Sequence, residues 1–132
     1  MSLFQMSPFL RRVLLADALV SGATGLLMLL GAGLLTDMLD LPAALLRTAG
    51  LILLPYALFV VYVATRSSQR AAVWAVILIN ALWAVDSIVL LLSGWVAPNA
   101  LGYAFVIVQA LAVAVFAELQ YIGVRRATAT IA

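Results

Sequence analysis

Four apolar stretches, at about residues 12–33, 43–65, 71–93 and 100–123, take up most of this chain. A helix of about 20 residues, rising about 1.5 Å per residue, crosses the roughly 30 Å hydrocarbon core of a bilayer. Each stretch is long enough to do so. In hydrocarbon the backbone must satisfy its own N–H and C=O groups, so an isolated apolar stretch crosses as a helix. The pattern predicts an all-α membrane protein, a four-transmembrane-helix bundle forming a single integral membrane domain over residues 1–132. Composition agrees: 67% of residues are apolar and 9% charged, whereas a soluble domain is nearer one-half and one-quarter. In 132 residues no length remains for a soluble catalytic domain.

The basic residues set an expected orientation. All seven are arginine, and six fall at three places: Arg11 and Arg12, Arg66 and Arg70, Arg125 and Arg126. Two crossings separate each group from the next, so all three lie on one side. Arginines beside short loops are retained in the cytoplasm during insertion. The expectation is a multi-pass protein of the bacterial inner (cytoplasmic) membrane with both termini cytoplasmic. The net charge of +2 comes from these flanks and suits an anionic inner leaflet; a nucleic-acid partner is not expected. The first stretch is too long for a signal-peptide core and carries Asp17, Ser21 and Thr24, so it reads as a retained span.

The connections are short. Thr36 to Pro42, with Asp37 and Asp40, forms the first outer loop; Arg66-Ser-Ser-Gln-Arg70 forms the inner one; Gly94 to Asn99 forms the second outer turn; Ala127 to Ala132 reads as a frayed tail. Pro55 is expected to kink the second span and to free the Leu51 carbonyl. Trp74, Trp95, Tyr103 and Tyr121 fall near span ends, where amphipathic rings settle. Ala18, Gly22 and Gly25 on span one, and Ala110, Ala114 and Ala117 on span four, are small-residue flanks that permit close helix approach. A weak internal repeat lays residues 17–31 on 80–94, with Asp17 over Asn80 and Gly31 over Gly94, which suggests a duplicated helical hairpin.

Polar residues inside the stretches are the candidate site, because ionisable groups at membrane depth normally face the bundle interior and take partners. Counting about 1.5 Å per residue from the outer ends puts Asp17 and Asn80 about 20 Å deep, with Tyr56 similar and Gln109 slightly higher. Asp86, Thr24 and Ser87 come out about 10–12 Å deep. One layer would then draw Asp17, Tyr56, Asn80 and Gln109 from four different helices. Asp17, Ser21, Thr24, Met28 and Gly31 follow helical spacing and form one inward stripe. Asn80, Trp83 and Ser87 share a face of span three, and Asp86 is rotated towards a seam. The candidate ligand-binding set is Asp17, Tyr56, Asn80, Trp83, Asp86 and Gln109. The alternative is that these groups bond across helices as structural glue. Arg47 is a candidate partner for Asp37, Asp40 or Asp86, and Glu118 for Arg125.

With no cysteine, histidine or lysine, the chain offers no thiol nucleophile, soft-metal site, haem ligand or Schiff base, and no metal or cofactor is expected. An enzyme is not expected either: a serine relay lacks its usual base, and Asp17 and Asp86 are about 10 Å apart along the membrane normal. The chain resembles small multidrug exporters in size and span count but has Asp17, off-centre, where those carry a central glutamate. It is similar in size to fluoride channels but lacks their paired phenylalanine and asparagine pattern. Both groups include proteins that insert either way, whereas six arginines against one favour a single orientation. The expectations that remain are a small non-enzymatic membrane protein binding or conducting a small solute, ion or lipid, or a structural subunit of a larger membrane complex. The expected partners are the lipid bilayer and either a second copy or another membrane protein, met through the spans.

Overall fold

The structure, a computed structural model, describes residues 4–66 and 69–131, with side chains as far as Arg126. Ser67, Ser68 and Ala132, from the expected inner loop and tail, lie outside the described residues. Five helices follow in order: α1 Pro8–Leu30, α2 Ala32–Leu39, α3 Ala43–Thr65, α4 Arg70–Ser93 and α5 Ala100–Ile131. Four of them are long and apolar enough to cross a membrane. The chain is a multi-pass helical membrane protein, and its four long helices form a bundle.

Helix ends follow local chemistry. α1 starts earlier than expected because Ser7 caps it, accepting from the Leu10 N–H at 3.1 Å, with Pro8 in its first turn, where proline's fixed φ suits a helix. Gly31 breaks α1 from α2: its N–H reaches the Leu27 carbonyl at 2.8 Å, and its own carbonyl accepts from Leu35. A Cβ there would come within 2.7 Å of the Leu27 oxygen. The expected outer loop therefore begins as helix α2, which ends at Asp40 in the left-handed region (φ 55°), a conformation that aspartate tolerates better than most residues. Pro55 sits inside a continuous α3, and both it and Leu51 are exposed. The Leu51 position thus faces away from the polar interior. The expected tail is helical, since α5 runs on to Ile131.

α1 packs chiefly on α3, and α4 chiefly on α5. Glycines allow the first pairing: a Cβ on Gly50 would meet the Gly25 carbonyl oxygen at 2.6 Å and the Leu29 nitrogen at 2.8 Å. The small-residue flank of α1 is thus a backbone-to-backbone seam. On α5, Ala110 and Ala117 are buried as expected, but Ala114 is exposed. Two apolar clusters fill the bundle. One, at the arginine-rich end, holds Leu10, Leu14, Val60, Val63, Val73 and Val76; the other, at the α2 end, holds Met28, Leu35, Leu39, Leu46, Leu53 and Val106.

α4 divides between two environments. Its fully buried residues are Val73, Val76, Ile77 and Asn80, all in its first half. From Ala81 to Ser93 no residue is buried, and contact between α3 and α4 is sparse. The bundle is closed up to Asn80 and open beyond it.

Candidate functional site

The first polar cluster sits where the two apolar clusters meet. Asp17 is 0% exposed and Asn80 2%, and Gln120 of α5 is also 0%. Asp17 Oδ1 accepts from Ser21 Oγ at 3.0 Å, one helical turn on. Oδ2 accepts from Tyr56 OH at 2.9 Å, Asn80 Nδ2 at 2.8 Å and Gln120 Nε2 at 2.8 Å. The Asn80 amide also donates to Gln120 Oε1 at 3.0 Å. The Tyr56 hydroxyl, with one hydrogen, lies between two acceptors, Asp17 Oδ2 and Asn80 Oδ1, the latter at 2.8 Å. Four helices thus converge on one carboxyl group. Among the described residues no buried side-chain nitrogen or oxygen lacks a partner, so each buried polar atom of the cluster is already engaged within the protein.

Gln109 does not belong to this layer, contrary to the sequence expectation; Gln120 takes its place. The depth count assumed that all helices end at one level at the α2 side. α5 instead starts higher, against the end of α2. The Asn99 N–H and side-chain amide donate to the Leu39 and Met38 carbonyls at 3.2 and 2.9 Å. The Asn99 side chain also accepts from Gly102 N at 2.8 Å, capping α5. From Ala100 to Gln120 is about 30 Å along the helix, against about 20 Å from Ala43 to Tyr56. Residues 94–99 climb the difference, and Gly102 lies close on the Leu39 carbonyl.

Gln109 builds a second polar cluster nearer the α2 end. Its Oε1 accepts from Trp83 Nε1 at 2.8 Å, and its Nε2 donates to Ser87 Oγ at 2.8 Å and to the Val106 carbonyl at 2.9 Å. Ser87 in turn donates to the Trp83 carbonyl at 2.7 Å. The indole is thereby held by one hydrogen bond on a chain of three residues. Beside it lies a cavity of about 300 Å³ between α3, α4 and α5. Leu46, Ala49, Ile52, Leu90, Phe105 and Val106 make its walls almost wholly apolar, with Trp83, Asp86 and Ser87 along the α4 side. Ile52 and Asp86 on the rim are exposed, so the cavity opens outward between α3 and α4. Trp83 also borders two small voids of about 30 and 50 Å³, next to Asn80 and Tyr56 and next to Asp17 and Thr24 respectively. It stands between the open cavity and the buried carboxyl.

The remaining expectations divide. Asp17, Tyr56 and Asn80 are brought together; Trp83 and Gln109 are brought together; Asp86 joins neither network by a hydrogen bond. Among the described residues Arg47 makes no ion pair with Asp37, Asp40 or Asp86, and Glu118 none with Arg125. Arg125 lies instead over the Tyr121 ring at 5.6 Å, and Tyr121 meets Trp74 edge-on. Arg11 Nε donates to the Ala64 carbonyl at 3.0 Å, serving the carbonyl-rich end of α3 as a cation should.

Comparison with protein-family models, with curated proteins and with solved structures finds no match to this chain. Its class therefore rests on fold and site: a four-span helical membrane protein with a closed polar node and a separate, laterally open cavity.

Proposed function

We propose that this protein binds a small lipophilic molecule that enters from the bilayer between α3 and α4. The observation that carries the reading is the cavity of about 300 Å³, within the range that holds small organic ligands. Its walls are apolar, its mouth faces lipid, and its one ordered polar feature is the Trp83–Gln109–Ser87 chain. A solute crossing from water through the Asp17 layer is less well supported, because each buried polar atom of that layer already has a partner within the protein. We also propose the bacterial inner membrane as its location, with both termini cytoplasmic, from the arginine distribution alone.

The subunit alternative keeps one argument: a gap between two helices is where a partner's helix can sit. A helix with side chains is about 10–12 Å wide, and a cavity of this volume takes a ring system or a short chain, not a helix. Contact by a partner across the rim would shield the mouth without filling the cavity.

Binding of 4-phenylbutanol to the full chain in nanodiscs tests the proposal, with empty nanodiscs as the partition control. The wild type is expected to show saturable binding above partition. Ala49→Phe and Ile52→Trp, which place rings in the cavity from α3, are expected to weaken it at least tenfold. Ile52 is 54% exposed, so its replacement leaves the core untouched and keeps the test valid should Ala49→Phe disturb folding. No saturable binding to the wild type, or equal binding by the Ile52→Trp variant, overturns the reading.

A further inference from the structure

We propose that the occupant of this cavity is cationic: an apolar body seated between α3, α4 and α5, with a protonated amine at Asp86. The inference rests on the cavity reading above and names the chemistry that the cavity selects.

Three carboxyl groups stand within the spans, Asp17, Asp86 and Glu118, and Glu118 borders none of the cavities described above. Asp17 holds four neutral donors. Asp86 lines the cavity and, among the described residues, has neither a hydrogen bond nor an ion pair. It lies seven positions before Ser93, the end of α4, about 10 Å along the helix. α4 itself is about 36 Å long, so with a hydrocarbon core of about 30 Å the Asp86 level falls inside the apolar region. A carboxylate there is costly unless something neutralises it, and such residues mark ligand or ion paths.

The chain's own cations do not meet it. Six of seven arginines sit at the opposite end, at positions 11, 12, 66, 70, 125 and 126. Arg47 falls on α3 between the lining residues Leu46 and Thr48, but it is exposed and unpaired with Asp86. Asp86 is therefore an unpaired carboxyl group at the lip of an apolar cavity, three residues from an indole whose orientation is locked by Gln109. A monocation with an apolar body meets each of these features: the walls take the body, the carboxylate takes the charge, and the neighbouring ring adds cation–π attraction. A neutral lipophile would leave Asp86 unmatched, and an anion would be repelled.

A matched set of probes isolates the charge: 4-phenylbutylamine, 4-phenylbutanol and 4-phenylbutanoate, titrated into the wild type and the Asp86→Asn variant in nanodiscs of zwitterionic lipid. The ion pair adds a Coulomb attraction that the alcohol cannot make, so the amine is expected to bind roughly tenfold or more tighter than the alcohol. In Asp86→Asn the amine-to-alcohol ratio is expected to fall to about one. Saturable binding of the alcohol with no preference for the amine would leave the cavity standing and overturn the cationic assignment. A preference that survives in Asp86→Asn overturns it too, as does tighter binding of the carboxylate through Arg47. Because Asp86 is exposed and supports no hydrogen bond, the variant is expected to keep the wild-type thermal transition, so loss of the ratio is not loss of fold.

Discussion

The layer around Asp17 and the layer around Gln109 contain the same kinds of residue, yet they are built differently. Each has an amide side chain that bridges α4 and α5, a serine on the helix, an aromatic hydrogen-bond donor and an aspartate nearby. In the first, all four long helices close on the carboxyl group and every polar atom is paired. In the second, α4 has parted from α3, the aspartate is left outside the hydrogen-bond chain, and a cavity opens. Residue type alone does not separate a closed polar layer from an open one in a membrane helix. Whether the helices close around the group does.

The largest effect should come from opening the closed layer. Asp17→Ala strips the acceptor from Tyr56, Asn80, Gln120 and Ser21 together. Bonds of this kind in a membrane are individually modest, but Gln120 and Ser21 lose their acceptor while Tyr56 and Asn80 each keep one, so buried donors are left unpaired. A loss of about 2–4 kcal/mol is expected in reversible unfolding from mixed micelles, and a change below about 0.5 kcal/mol would contradict the closed-node description. Next is Gly50→Ala, which tests whether α1 and α3 are closed in the same half where α3 and α4 are not. Its new methyl meets backbone atoms that cannot yield locally, so about 1–3 kcal/mol is expected. Gly33→Ala, with nothing within 4 Å of the added carbon, serves as a control and should be neutral by the same measurement.

Smaller effects belong to the open layer. Gln109→Leu leaves Trp83 without its acceptor while sparing the Asp17 node; about 1 kcal/mol is expected, together with a change in Trp83 emission, read against a Trp74→Phe, Trp95→Phe background. A loss as large as that of Asp17→Ala would mean that the two layers are one network. The smallest effect is Asp86→Asn, expected within about 0.5 kcal/mol of wild type, as for surface changes that break no contact. A marked shift in either direction would show that Asp86 takes part in the fold after all.

Much of this arrangement was legible from residue order. Apolar length set the four spans, and α3 and α4 begin and end within a residue of the expected limits. The 17, 21, 24, 28 stripe on α1 faces inward because helical periodicity survives in an apolar sequence wherever polar residues punctuate it. The convergence of Asp17, Tyr56 and Asn80 was legible for the same reason. Gln120 was missed because depth was counted from loops taken to be level. α2 extends the first hairpin and lifts the start of α5, which shifts that helix's register by about 10 Å. A signal for it existed: Ala110 and Ala117 mark the buried face of α5, and three residues further along that face lies Gln120. The cavity had no comparable signal. It arises from α4 leaving α3 beyond Asn80, and both sides of the gap are as apolar in sequence as the faces that touch lipid.

The pairing of α1 with α3 and of α4 with α5 also bears on how the molecule is made. Each pair is a hairpin of consecutive spans with its own tight interface, so each can pack as it leaves the insertion machinery, before the other exists. What remains is a single docking event, and the polar bonds that span the two halves at its centre run from Asn80 and Gln120 to Asp17, and between Asn80 and Tyr56. The carboxyl group on the first hairpin then serves as an address for the second. A chain severed between Arg66 and Gln69 should behave as two complementary pieces that recognise one another through the Asp17 node and the apolar cluster packed beside it.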